Sequence, residues 1–407
     1  MIPWAVPTSS RHALTFVLLT VLIDTIGFGI VLPVLPELIT ELRHAGLDDA
    51  ARWGGSLAVA YALMQFICAP IVGNLSDRFG RRPVLLASLA GFGLDYLVMA
   101  FAPSLAWLFV GRLIAGVTGA AYSTANAYIA DITPPETRSQ SFGLMGAAFG
   151  VGFILGPAIG GFLGSLGPRA PFFAASALAL ANVVYGYFVL PESLAADKRR
   201  PFSFALANPL GTLGMLRKHG GVAALAAALC LWMLGHQVLP NVWTYYTMLR
   251  FNWDERVVGL SLAAAGVSMI LVQGTLTRVV IPKLGERRAA TIGLAFGAAG
   301  YFIYALAPAG WVMFVGLVVF ALSGLVYPSI NGLLSQRAAA DEQGALQGAV
   351  GSLYGLTEIA GPILMTQLFA IFSSPSAHLS FPGAPFFVAG LLAVSGIWLV
   401  LSDKTAI

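Results

Sequence analysis

Four ionisable side chains, Asp24, Asp95, Arg112 and Glu358, stand inside apolar runs long enough to cross a membrane. In LTVLIDTIGFGIVLP, residues 19–33, Asp24 is the one charge. A carboxylate at bilayer depth costs ~2.5–3.5 kcal/mol on insertion scales, so such a group points to function by default. Asp24 lies about eleven residues into its run, roughly 17 Å along a helix and so near mid-membrane. Loss of water disfavours the charged form of a carboxyl. Asp24 therefore has the chemistry of a proton carrier or a substrate contact, against the simpler reading of a hydrogen-bonded structural acid. Asp95 and Arg112 fall at similar depths in consecutive runs, where pairing would keep both ionised. Such a pair serves either as a switch beside Asp24 or as a lock joining two helices. Glu358 is also midway across its run. His236 and Gln237 lie mid-run too, and a histidine there either relays protons or packs as a satisfied core residue. Gln65, Asn126, Trp243 and Asn331 complete a candidate lining for an aromatic or polar ligand.

The elements that must hold these groups are membrane spans. The 407 residues are 58% hydrophobic and only 10% charged, against ~25% charged in soluble domains. Twelve segments reach the roughly 20 residues that cross the hydrocarbon: 13–36, 53–75, 83–102, 104–131, 140–164, 171–190, 219–248, 255–281, 288–307, 309–337, 344–372 and 384–402. They are continuous apolar runs rather than the alternating segments of a β-barrel. The first run is too long for a signal-peptide core and no small-residue cleavage site follows, so it is expected to be retained. Most of the 22 Lys and Arg residues fall in the loops that share a side with the N-terminus, which puts both termini in the cytoplasm. The net charge of +4 arises from those short loops and is no sign of a nucleic-acid partner. Cys68 and Cys230 both lie inside apolar runs and suggest neither a disulfide framework nor a zinc site.

The chain repeats itself. Shifted by 205 positions, Gly111, Gly119, Tyr122 and Asn126 fall on Gly316, Gly324, Tyr327 and Asn331, and Gly156-Pro157 on Gly361-Pro362. Gly80 meets Gly285, while PFF at 171–173 recurs at 385–387, a shift of 214. This organisation implies an N-terminal six-helix half over 1–190, a cytoplasmic linker over 191–217 and a C-terminal half over 218–407. Halves related in this way imply parallel repeats about an axis along the membrane normal, with a central site between them. Glu358 falls on Phe153, so symmetry does not require the acid.

GNLSDRFGRRPVLL, residues 73–86, closely resembles the loop that marks the major facilitator superfamily. Arg112-x3-Gly116-x2-Gly119 is similar to that family's span-four pattern. GFILGPAIGG, residues 152–161, resembles the span-five pattern of its proton-driven drug antiporters. DTIGFGIVLPVLP, YALMQFICAP, GLDYLVMAF and DEQGALQG resemble the tetracycline-efflux branch. The resemblance implies a monomeric, all-helical transporter of the bacterial inner membrane that exports an amphipathic drug in exchange for protons by alternating access. Its partners would be a small-molecule substrate, protons and membrane lipid. It also implies that Gly73, Asp77, Arg78, Gly80, Arg81, Arg82 and Arg138 latch a cytoplasmic gate. Gly152, Gly156, Pro157, Gly160, Gly161, Gly361 and Pro362 would serve helix packing and conformational change. The sequence departs from that branch at 288–307, which contains no acid where the exporters carry one in span nine. The alternative is proton-coupled or facilitated uptake of a sugar or organic acid. No phosphate-binding glycine loop, metal-spaced His/Cys cluster or nucleophile triad occurs, so neither an enzyme nor a cofactor is expected.

Overall fold

A computed structural model describes residues 8–119, 122–134, 137–202, 214, 216, 222–339 and 342–402 of the chain. The side chains of residues 8–13, 122–123, 138–139 and 198 lie outside that description. Among the described residues there is no strand, and 12 helical segments are long and apolar enough to cross a membrane. Spans one to six are Leu14–Val31, Leu47–Phe79, Arg81–Ala100, Leu105–Ile132, Gln140–Gly164 and Ala170–Val189. Spans seven to twelve are Val222–Phe251, Glu255–Leu284, Glu286–Leu306, Gly310–Ser335, Gln343–Ser373 and Ala384–Ser402. The expected all-helical, twelve-span membrane fold is present.

Two boundaries differ from the sequence reading, each for a local reason. The first run ends at Val31, and a turn at residues 32–34 leads into a separate helix, Leu35–Arg43. Pro33 supplies no N–H to a helix and pushes the residue before it out of helical geometry. Span two begins at Leu47 rather than near 53, with Asp48 and Asp49 in its first turn, where carboxylates suit the positive end of the helix dipole. Arg43 Nε meets Asp49 Oδ2 at 3.2 Å across the intervening turn.

The helices pack into two units, one drawn from Met1–Leu38 and Ala60–Pro209, the other from Ile39–Val59 and Leu210–Ile407. In the first, span one lies along spans five and six, and span three along spans four and six. Spans one and five approach backbone to backbone. A Cβ on Gly156 would stand 2.7 Å from the Ile26 carbonyl oxygen and 2.8 Å from the Gly29 Cα. One on Gly152 would stand 2.9 Å from the Leu22 carbonyl oxygen, and Gly160 abuts the backbone of Ile30. Small residues permit this approach between membrane helices. In the second unit, span nine lies along spans ten and twelve, and span seven along spans eleven and twelve. Its core is aromatic: Trp243 meets the Tyr304 ring edge-on at 5.0 Å, and Tyr246 meets Phe386 at 5.0 Å.

The internal repeat recurs in side-chain geometry. Arg82 Nη2 donates to the Tyr187 carbonyl at 2.6 Å, and Arg287 Nη2 donates to the Leu401 carbonyl at 2.6 Å. The two arginines are 205 positions apart and their acceptors 214 apart, the same two shifts found in the sequence. Each guanidinium satisfies a carbonyl left open at a helix C-terminus. Gly80 and Gly285 have φ of 104° and 78°, conformations that favour a residue without a Cβ.

Gly156→Leu is expected to wedge spans one and five apart, an overpacking that costs about 1–3 kcal/mol. Gly146→Ala, whose added Cβ would have nothing within 4 Å, is the matched control. Thermal unfolding of the two purified variants should show a lowered midpoint for the first and no change for the second.

Candidate functional site

Asp24 occupies the middle of span one and is half-buried, with no hydrogen bond or ion pair among the described residues. One turn on, Gly27 lets the Tyr96 side chain of span three reach the span-one backbone. A Cβ at Gly27 would stand 2.8 Å from Tyr96 Oη. Residues three apart share a helix face, so the buried Tyr96 hydroxyl lies along the face that carries Asp24.

The neighbouring residue of span three is Asp95, which is fully buried. Its Oδ2 accepts from Arg112 Nη2 of span four at 2.5 Å, so the structure brings these two sequence candidates together. Arg112 also reaches Met99 Sδ at 2.9 Å and stands over the Tyr61 ring, 5.9 Å from its centroid. The pair is incompletely satisfied, because Asp95 Oδ1 and Arg112 Nε are buried without hydrogen-bond partners among the described residues. The unpaired oxygen fits against Gly111, whose added Cβ would stand 2.6 Å from it. Such a pair keeps its charge in low dielectric only while both members stay together.

The second unit holds the remaining candidates. Glu358 is half-buried in span eleven, one turn after Tyr354, which hydrogen-bonds it. His236 ends the first helical stretch of span seven. Its ring stacks on Phe320 at 5.9 Å, lies 5.7 Å from Trp232, and places Nδ1 3.5 Å from Tyr301 Oη. Gln237 packs against Gly361 and accepts from Asn241 Nδ2 at 3.3 Å. Asn331 accepts from Gln347 Nε2 at 3.2 Å. Trp243 is a core residue here, 1% exposed with its indole N–H donated to Ser261 Oγ at 2.9 Å. In the first unit Gln65 is half-buried beside Gly116, and Asn126 is half-buried on span four. Span nine begins at Glu286 rather than 288. It therefore does open on an acid, though at its end rather than at mid-depth, with Oε2 buried and without a hydrogen-bond partner among the described residues.

The loop after span two forms a compact ionic network. Arg81 bridges Asp77 Oδ1 at 2.5 Å, Asp131 Oδ2 at 3.3 Å and Ser76 Oγ at 2.6 Å. Ser76 Oγ donates in turn to the Gly73 carbonyl at 2.7 Å, and Ser193 Oγ donates to Asp131 at 3.1 Å. Glu192 accepts from the backbone N–H groups of Arg81 at 2.8 Å and Arg82 at 3.3 Å, a carboxylate seated on the N-terminus of span three. Gly80 leaves room for it, since any Cβ there would collide with the Glu192 carboxyl. Arg78 lies over the Phe79 ring. The Arg138 side chain is outside the described residues. Asp131 and Glu192 were missed by sequence reasoning. Their partners lie 50 and more than 100 residues away, and an acid at the end of a span reads as ordinary topology. The Pro191 that stops span six just before Glu192 was the available signal.

These arrangements belong to a known class of membrane proteins. The model of the Major Facilitator Superfamily matches residues 17–362 and 242–406. The chain belongs to that superfamily. The tetracycline resistance protein, class C, of Escherichia coli is 41% identical, over 96% of this chain and 98% of that protein. The class G protein of Vibrio anguillarum is 40% identical over 88% of this chain and 91% of its own length. Among solved structures, the human organic anion transporter MFSD10 (TETRAN) superposes with a TM-score of 0.70 at 26% identity. That likeness covers 96% of this chain and 99% of the other.

Two outcomes are expected. Arg112→Gln strands Asp95 as a buried, unpaired charge and destabilises by about 3–5 kcal/mol, whereas adding Asp95→Asn restores part of the loss; thermal unfolding of both variants checks this. Glu192→Ala frees the segment after span six from the N-terminus of span three. Limited trypsinolysis after Arg199 should then run severalfold faster than in the unaltered protein.

Proposed function

We propose that the chain exports an amphipathic, tetracycline-like drug in exchange for protons by alternating access, from a bacterial inner membrane with both termini cytoplasmic. The coupling rests on the contrast between the two acids of the first unit. Asp95 is held by Arg112, while Asp24 sits at mid-span without a fixed partner among the described residues. An acid free of a permanent cation can exchange its proton without first breaking an ion pair. The substrate class is supported by relatives named for tetracycline resistance that are 40–41% identical over most of the chain.

In this reading a proton arriving from outside neutralises Asp24 and favours drug release. Loss of that proton toward the cytoplasm restores the charge and favours drug binding. Asp95 and Arg112 act beside it: protonation of Asp95 would release the guanidinium, which already has Met99 and the Tyr61 ring within reach. The Arg81 network closes the cytoplasmic end in one half of the cycle. The glycine contact of spans one and five passes movement of span one to its neighbour.

Inside-out vesicles with an interior-acid fluorescent probe test this. Tetracycline should release protons from vesicles holding the unaltered protein, and Asp24→Asn should cut the signal at least tenfold while leaving folded protein in the membrane. A drug-linked signal that survives Asp24→Asn would overturn the assignment.

A further inference from the structure

Spans eight and ten each lose regular α-geometry, and they do so against one another. Span eight winds into a π-turn over Val272–Leu276, and span ten tightens into a 3₁₀ turn over Leu322–Leu325. The two irregular turns are in contact. Single π-turns inside α-helices occur mostly at functional positions. The π-turn is supported by its own side chains. Thr275 Oγ1 donates to the Leu271 carbonyl at 2.5 Å, and Thr277 Oγ1 donates to the Gln273 carbonyl.

The side chain this turn presents is Gln273, which is exposed and makes no hydrogen bond among the described residues. Its Cγ fills the space left by Gly324, where an added Cβ would stand 3.2 Å away. Tyr327, three residues on in the α-helical stretch Val326–Ser335, shares the helix face of Gly324. Tyr327 is 46% exposed and likewise makes no hydrogen bond among the described residues. One turn further, half-buried Asn331 continues the same face. An amide facing hydrocarbon without a partner is costly, so this face is accounted for by water or a ligand rather than by lipid. The repeat does not require it. The positions matching Gln273 and Thr275 in the first half, 205 earlier, are Cys68 and Pro70.

We propose that Gln273 and Tyr327 form a hydrogen-bonding subsite for a neutral hydroxyl, enol or carboxamide group of the transported molecule. This rests on the export reading above and names the part of the substrate that the second unit holds. An amide offers both donors and an acceptor, and a phenol offers one of each. The pair therefore selects neutral polar groups and is indifferent to purely apolar cations.

The test has two arms. With the free thiols Cys68 and Cys230 replaced by serine, Gln273→Cys in inside-out vesicles is exposed to a hydrophilic methanethiosulfonate reagent. The thiol should react, and tetracycline should slow that reaction severalfold. In the second arm Gln273→Leu, similar in volume, should raise the half-saturating tetracycline concentration about tenfold, roughly the worth of one hydrogen bond. A thiol at 273 that is inert to the reagent in folded protein overturns the subsite whatever the chain exports. So does an unchanged half-saturation for a drug that the unaltered protein moves. Absence of any drug-linked proton signal from the unaltered protein would instead strike the export reading, and the labelling arm would still decide whether position 273 faces water.

Discussion

Within the hydrocarbon of a membrane, a polar group that does not find its partner inside the protein finds none. That constraint organises this chain. At the span ends, Arg82 and Arg287 cover open helix carbonyls. The constraint explains why Thr25, Ser268 and Thr366 each turn their hydroxyls back on the carbonyl four residues earlier. It also makes the exceptions informative. Asp24, Gln273 and Tyr327 lack such partners among the described residues, and that lack is what marks them as candidates.

The two halves keep a common frame and differ in charge. Where spans three and four are joined by Asp95 and Arg112, the matching positions of spans nine and ten are Gly300 and Leu317. Gly300 instead packs against Phe320, whose Cβ would stand 2.7 Å from a Cβ on that glycine. Arg81, centre of the ionic loop, is matched by Glu286, and Asp77 by Pro282. The arginine caps and the positive-φ glycines persist in both halves. Backbone satisfaction is thus common to both halves, while titratable chemistry is concentrated in the first.

Much of this was legible in the sequence because hydrophobic length and repetition are local signals. Twelve apolar runs correspond to twelve helical spans among the described residues, and Gly156-Pro157 stands out in the sequence by its repetition at Gly361-Pro362. Asp95 and Arg112 could be paired by depth alone. What was not legible depends on contacts made across the fold. Asp131 and Glu192 become partners of span three only when distant loops meet. Trp243 reads as a cavity aromatic until Ser261, Tyr304 and Phe386 enclose it. The π-turn at Val272–Leu276 has no sequence signature, and its contact with Gly324 is made with another span. Pro33 was visible, yet its effect in splitting off Leu35–Arg43 was masked by the apolar residues around it.

The Asp95–Arg112 pair has a consequence for how the chain enters the membrane. Spans three and four are consecutive, joined only by residues 101–104, and the paired residues lie 17 apart. Each span alone would carry a naked charge past the hydrocarbon barrier, at ~2.5–3.5 kcal/mol apiece on insertion scales. Inserted together as a hairpin, they neutralise one another before either is exposed to lipid. The pairing therefore draws on two consecutive spans and on no later one.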